Sequence, residues 1–125
     1  MAKEVPIGAQ GAAEERVEFK HTLTYHHEAL PPVYSTPDMI RLMEIAAFHA
    51  LEPFCEEGEI TVGTHINIEH RSAVGIGTLV RAEAVVESFD GRFYTVRVAA
   101  RDGDREIGCG IVGRAAGVRP GLRHD

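Results

Sequence analysis

The residue of this chain best placed for chemistry is a carboxylate in an otherwise apolar segment. Glu44 lies within MIRLMEIAAFHALE, between Met43 and Ile45. Burial strips a carboxylate of hydration and raises its pKa, which brings it towards the range that acid–base chemistry uses. A salt bridge to Arg41, or a helix position that reaches solvent, would explain the same residue without chemistry. Glu44 is therefore a candidate with two structural alternatives.

A histidine and a threonine could join this acid. His70 shares the parity of Ile66 and Ile68 in a strand-like segment, so the pattern places it on the core side, near a helix. A hydrogen-bonded core histidine would fit the same position. Thr36 precedes Pro37 at a predicted helix start, where a threonine is also an ordinary cap.

Other polar groups do not form a recognisable metal, nucleophile or phosphate site. His65, Asn67 and Glu69 share one strand face and His26-His27 are adjacent, but neither group has a second cluster at a zinc-site spacing. The serines lie outside any Gly-x-Ser-x-Gly elbow, and no glycine-rich phosphate loop is present. The two cysteines lie far apart in the chain. We therefore expect neither a metal nor a cofactor.

One helix must position Thr36 and Glu44. The sequence Ser35-Thr36-Pro37-Asp38 predicts a helix start with a threonine cap, a proline in the first turn and an early acid. The helix is predicted over about 37–52, because a proline follows and disfavours helical geometry in the residue before it. Its side chains leave almost no polar face, so other structure must wrap it on most sides.

Alternating apolar residues predict strands in the rest of the chain. The predicted strands cover about 17–25, 60–71, 78–89, 93–101 and 106–118. Asp90-Gly91 is a strong hairpin-turn pair between the third and fourth of them. In the second strand, uninterrupted alternation places Val62 and His70 on one face and Gly63 on the other.

The order of elements predicts the fold class. A strand, a buried helix and four antiparallel strands indicate an α+β fold in which a five-stranded antiparallel sheet curls around one long helix. A small sheet encloses only about half of such an apolar helix. A homodimer is therefore expected to cover the apolar surface that the sheet leaves exposed. Residues 1–16 and 119–125 are expected to be loose tails that flank one domain at 17–118.

Composition excludes several classes of protein. The chain has 125 residues, 44% of them hydrophobic, which is ordinary for one globular domain. With 19 acidic residues against 13 Lys plus Arg, the net charge of -6 disfavours nucleic acid as a partner. No apolar run approaches the ~20 residues of a membrane span, and no signal peptide is visible, so a cytoplasmic location is expected. An anionic ligand would need local arginines, for which the candidates are Arg71, Arg81, Arg114 and Arg119.

Taken together, these residues resemble the fluoroacetyl-CoA thioesterase-like branch of the hot-dog superfamily. The matching stretches are STPDMIRLMEIA, LEPFCEEGEITVGTHINIEH and DREIGCGIVGRA, within about residues 17–118. In that family a threonine, a glutamate eight residues later in the helix and a histidine 26 residues after the glutamate form the catalytic set. Thr36, Glu44 and His70 match this set in type and in spacing.

The resemblance also implies binding residues. The glycine and threonine of the family's second strand correspond to Gly63 and Thr64, and its last-strand arginine, which is associated with binding, corresponds to Arg114. Members selective for the fluoroacetyl group have a bulky phenylalanine just before the helix, whereas this chain has LPPV at 30–33. The resemblance therefore implies thioester chemistry and leaves the acyl group open.

The activity implied by the resemblance is hydrolysis of a small, short-chain acyl-CoA to free acid and CoA by a homodimer, with further assembly left open. Glu44 would attack the thioester carbonyl or activate water, His70 would polarise the carbonyl or move protons, and Thr36 would orient a partner or bind the carbonyl oxygen. The alternatives are a non-catalytic acyl-CoA-binding or sensing domain and a hydratase, although no Asp/His hydratase motif is visible.

Distances add a prediction about assembly. Thr36 and Glu44 are separated by ~12 Å along a helix, and Gly63 and His70 by about 23 Å along a straight strand. If this strand pairs antiparallel with its twofold copy, Gly63 of one chain lies near His70 of the other. Each active site is then predicted to be built from both subunits.

Overall fold

A computed structural model describes residues 4–118 as one antiparallel sheet packed on one long helix. In chain order, the elements are β1 (Gln10–Arg16), α1 (Leu23–His26), α2 (Thr36–Leu51), β2 (Glu59–His70), β3 (Leu79–Phe89), β4 (Tyr94–Asp102) and β5 (Arg105–Val118). The strand order in the sheet is β1-β3-β4-β5-β2. The helix and the four later strands confirm the predicted elements to within one residue at each end. The predicted curled sheet around a buried helix is also confirmed.

The long helix α2 begins one residue earlier than predicted and has a different cap. The Ser35 hydroxyl accepts a hydrogen bond from the backbone N–H of Asp38, so serine rather than threonine caps the helix. Thr36 is the first helical residue, and its hydroxyl is free for other contacts. The apolar side of α2 contributes Met39, Met43 and Leu51 to the core. Within residues 4–118, no helix is both long and apolar enough to cross a bilayer.

The prediction of a strand over residues 17–25 is wrong. Phe19–His21 form a single 3-10 turn, and Leu23–His26 form the short helix α1. The Thr22 hydroxyl accepts a hydrogen bond from the backbone of Tyr25 and donates one to the carbonyl of Phe19. These local side-chain bonds satisfy the backbone in a turn and compete with a strand.

The first strand lies instead in the segment that was expected to be a loose tail. Gln10–Arg16 pairs antiparallel with β3 along its whole length. Gly11 lies directly against the backbone of α2, where a Cβ would overlap the carbonyl of Ala46 and the amide of Ala50. The predicted domain boundary at residue 17 is therefore too late, since β1 belongs to the sheet. Residues 1–3 and the predicted C-terminal tail at 119–125 lie outside the described residues.

A network of polar side chains fixes the start of α2 to β1. The Tyr34 hydroxyl donates a hydrogen bond of 2.5 Å to Glu15, and Arg41 donates to the same carboxylate at 2.6 Å. Arg41 also pairs with Asp38 at 3.5 Å. Burial, followed by the bond to Glu15, raises the pKa of the Tyr34 hydroxyl. Arg41 is thereby engaged with Glu15 and Asp38, and Glu44 pairs with Arg114, so the suggested salt bridge from Arg41 to Glu44 does not form.

A β-bulge interrupts the alternation of β2. The register with β5 shifts between Gly63 and His65, so Thr64 is the extra residue. Gly63, before the bulge, and His70, after it, therefore both face α2. They were predicted to lie on opposite faces of the strand. Val62, predicted to face the core with His70, is 49% exposed.

Candidate active site

A threonine and a histidine form the first half of the candidate site. The Thr36 Oγ1 lies 2.8 Å from His70 Nδ1, which joins the first residue of α2 to the last residue of β2. The other ring nitrogen, Nε2, is buried and has no hydrogen-bond partner among the described residues. Burial lowers the pKa of His70, and a backbone hydrogen bond at Ser72 opposes this shift. The lowered pKa favours the neutral form of the His70 imidazole.

A small cavity adjoins this pair. Its volume is about 250 Å³, and Leu23, Val33 and Tyr34 form its apolar wall beside Thr36 and His70. A space of this size is close to the lower limit for small-molecule sites. The cavity can accept a small group next to the Thr36–His70 hydrogen bond.

A glutamate forms the second half of the candidate site, in a different cavity. The Glu44 side chain is 24% exposed, and its Oε1 lies 3.1 Å from Nη1 of Arg114. Its Oε2 lies against Gly63, where a Cβ would overlap that oxygen. The adjacent cavity of about 400 Å³ is bordered by Phe48 and Val62, and none of its lining residues also lines the Thr36–His70 cavity. The carboxylate is thus paired with a cation and still borders open space.

Arg114 is held in place by the neighbouring strand. Its Nε donates to Thr61 Oγ1 at 2.9 Å, and its Nη2 donates to the Thr61 carbonyl at 2.7 Å. Burial lowers the pKa of the Arg114 guanidinium, and the negative charge of Glu44 opposes this shift. Sequence reasoning missed Thr61. Thr61 lies two residues before Gly63 and therefore on the same face of the strand, and this spacing could have identified it.

One predicted binding residue, Thr64, lies outside the candidate site. Thr64 sits at the bulge over Gly113 and lines a cavity of about 310 Å³ with Phe93 and Tyr94, apart from both halves of the candidate site. Gly63 and Thr64, which the resemblance implies as binding residues, therefore line different cavities.

The arginines suggested for an anionic ligand are mostly exposed and paired. Arg71 lines the mouth of the Thr36–His70 cavity and bonds to Glu69 at 2.6 Å. Arg81 pairs with Glu14 and Glu83, and Arg119 lies outside the described residues. In the described part of the chain, no three His, Cys, Asp or Glu side chains are grouped so as to hold a metal ion.

A match to a known family accompanies this geometry. The model of the FlK family, fluoroacetyl-CoA-specific thioesterase, matches residues 17–116. The chain belongs to this family. It is 41% identical over 85 residues to the fluoroacetyl-CoA thioesterase of Streptantibioticus cattleyicolor. That match spans 68% of this chain and 61% of the relative, so about two fifths of the relative lies outside the match.

Solved structures of the FlK family share the fold closely. The fluoroacetyl-CoA thioesterase FlK is 31% identical to this chain, and its structure matches with a TM-score of 0.84. The match covers 92% of this chain and 90% of the FlK chain. A threonine-to-serine variant of FlK was solved in complex with acetyl-CoA, with 31% identity, a TM-score of 0.84 and coverage of 90% of both chains. A thioesterase superfamily member from Thermus thermophilus is 28% identical, with a TM-score of 0.85 and coverage of 93% and 86%. The hot-dog fold and the resemblance drawn from the sequence are confirmed.

Proposed function

We propose that this protein is an acyl-CoA thioesterase that hydrolyses a small, short-chain acyl-CoA to the free acid and CoA. The observation that carries this proposal is the 2.8 Å contact between Thr36 Oγ1 and His70 Nδ1, beside a cavity of about 250 Å³. Membership of the FlK family supports the reaction class. The acetyl-CoA complex of an FlK variant supports the CoA thioester as substrate class.

The Thr36–His70 pair supplies proton control. When the threonine hydroxyl donates to Nδ1, the neutral imidazole carries its proton on Nε2 and can donate it to the thioester carbonyl or to the leaving sulfur. Positioned acid–base groups of this kind contribute roughly 100-fold to 10,000-fold to a rate. The buried Nε2, which lacks a partner among residues 4–118, suits this role.

Glu44 supplies the attack on the carbonyl in one of two ways. As a base, it removes a proton from water while the water oxygen bonds to the acyl carbon. As a nucleophile, it bonds to that carbon itself and forms an acyl-enzyme anhydride, which water then hydrolyses. In both routes the carbon–sulfur bond breaks and the thiolate of CoA takes up a proton. Arg114 holds the carboxylate through the 3.1 Å ion pair between its Nη1 and Oε1 of Glu44.

Two chains are needed to bring these halves together. Thr36 with His70, and Glu44 with Gly63, occupy separate cavities of one chain, ~12 Å apart along α2. Strand β2 is the edge of the sheet and exposes apolar side chains, which marks it as a pairing surface for a second copy. An antiparallel β2 pair around a twofold axis sets the Glu44 half of one chain against the Thr36–His70 half of the other. The homodimer therefore has two sites, each built from both subunits.

The test is release of free thiol from a panel of acyl-CoAs. Acetyl-CoA and other short-chain thioesters should be cleaved by the wild-type protein, and Glu44→Ala should abolish the release. Glu57→Gln is the control, because Glu57 is exposed and lines neither cavity. Tight binding of acyl-CoA without thiol release would instead identify a sensing domain and overturn the proposal.

A further inference from the structure

The buried arginine of the last strand has little surface left for a ligand. Arg114 is 5% exposed, and three of its N–H groups are committed, two to Thr61 and one to Glu44. The Phe48 ring lies 6.0 Å from its guanidinium carbon and covers it further. A guanidinium enclosed in this way is poorly placed to reach the phosphates of CoA.

The same geometry fixes the glutamate from both sides. Arg114 holds Oε1, and the bare backbone of Gly63 gives room to Oε2. Within residues 4–118, Arg114 is the cation paired with Glu44, since Arg41 is engaged with Glu15 and Asp38. The position of the Glu44 carboxylate thus depends on one side chain, which Thr61 anchors.

We propose that Arg114 is a positioning residue that keeps Glu44 oriented for attack on the thioester, with Thr61 as its anchor, rather than a contact for the phosphates of CoA. This proposal rests on the thioesterase function proposed above. A charge-assisted bond to a carboxylate is among the stronger hydrogen bonds in a protein. Its loss should lower kcat roughly 10-fold to 100-fold, because catalytic effects of this size follow from one misplaced group.

The kinetic test separates positioning from phosphate binding. For Arg114→Gln with acetyl-CoA, we expect a lower kcat and a KM within about threefold of wild type. Inhibition by free CoA should not change. Arg105→Gln is the matched control, since Arg105 is an exposed arginine of the same strand.

Two further variants make the test decisive. Thr61→Val removes the hydroxyl acceptor but keeps the shape of the side chain, and it should lower kcat in the same direction by a smaller factor. In the double variant Arg114→Gln/Glu44→Gln, kcat should be no lower than in Glu44→Gln alone, because Arg114 acts through Glu44. If the Arg114 variants do not fold, Thr61→Val decides, and an unchanged kcat in Thr61→Val overturns the proposal.

The outcomes distinguish this proposal from the proposed function. An Arg114→Gln protein with unchanged kcat, but with a large rise in KM and weaker inhibition by CoA, would make Arg114 a phosphate contact. That result leaves thioester hydrolysis intact. Full activity of Glu44→Gln, or no thiol release by the wild-type protein, would overturn the proposed function itself.

Discussion

Replacing Gly63 by alanine should separate activity from stability. Gly63 does not have a positive φ, so its backbone conformation suits alanine. The atom that a new Cβ would overlap is Oε2 of Glu44, the far end of a flexible side chain. The carboxylate can move aside, so the fold should tolerate the change.

The expected magnitudes differ for the two properties. A glycine-to-alanine change at a compatible position stabilises by about 0.4–1 kcal/mol through the unfolded chain. That gain offsets part of the cost of moving Glu44, so the free energy of unfolding should stay within about 1 kcal/mol of wild type. The carboxylate, however, must shift away from β2, and a misplacement of about 1 Å costs roughly 100-fold in rate.

The assay combines thiol release from acetyl-CoA with urea unfolding. Gly117→Ala is the matched control, because a Cβ at Gly117 meets no atom within 4 Å and this glycine does not have a positive φ. We expect kcat to fall about 100-fold in Gly63→Ala and not in the control. A Gly63→Ala protein with wild-type kcat would refute the reasoning, since the carboxylate would then act from another position. A large loss of stability would refute the claim that Glu44 moves freely.

Two further predictions concern stability and titration. Gly11→Ala should destabilise by about 1–3 kcal/mol in urea unfolding, because the overlapped atoms belong to the backbone of α2 at Ala46 and Ala50 and cannot move aside; a cost like that of Gly117→Ala would contradict this. NMR titration of His70 should give a pKa below the usual 6.5, because burial disfavours its charged form. The unfolded chain then binds a proton before the folded chain does, so this group lowers stability as the pH falls from about 6.5 towards the folded-state pKa; a value of 6.5 or above would contradict it.

The helix and the four later strands could be predicted because their signals are local. A proline and an acid mark the start of α2, and Pro53 marks its end. The Asp90-Gly91 pair predicted a hairpin turn, where Gly91 has a φ of 102° that favours glycine. Apolar periodicity placed the rest to within one residue.

The first strand could not be predicted because its contacts demand small residues. Gly11 and Ala13 lie on the face of β1 that packs against α2, where close backbone approach excludes the large apolar side chains that produce a periodic pattern. The apolar residues that alternate over 17–25, and that predicted a strand, are not buried in alternation. Val17 is buried, but Phe19 and Tyr25 are 53% and 57% exposed.

The parts of the candidate site that depend on long-range geometry were also hidden. The spacing of Thr36, Glu44 and His70 follows from the family resemblance, but nothing local shows that Thr64 is a bulge that turns both Gly63 and His70 towards the helix. Nor does the sequence show which cation reaches Glu44, since the partner is 70 residues away on another strand. Such pairings are set by sheet register, which local patterns do not contain.

Mixing two inactive variants tests the shared site most directly. Glu44→Ala and His70→Ala should each be inactive alone, and they are to be unfolded together, refolded as an equal mixture and assayed for thiol release from acetyl-CoA. Half of the dimers are then mixed, and each mixed dimer holds one site with an intact Glu44 from one chain and an intact Thr36–His70 pair from the other. We expect recovery of about a quarter of wild-type activity, as a twofold dimer with shared sites requires. No recovery, in a mixture shown to contain mixed dimers, would contradict the two-chain site.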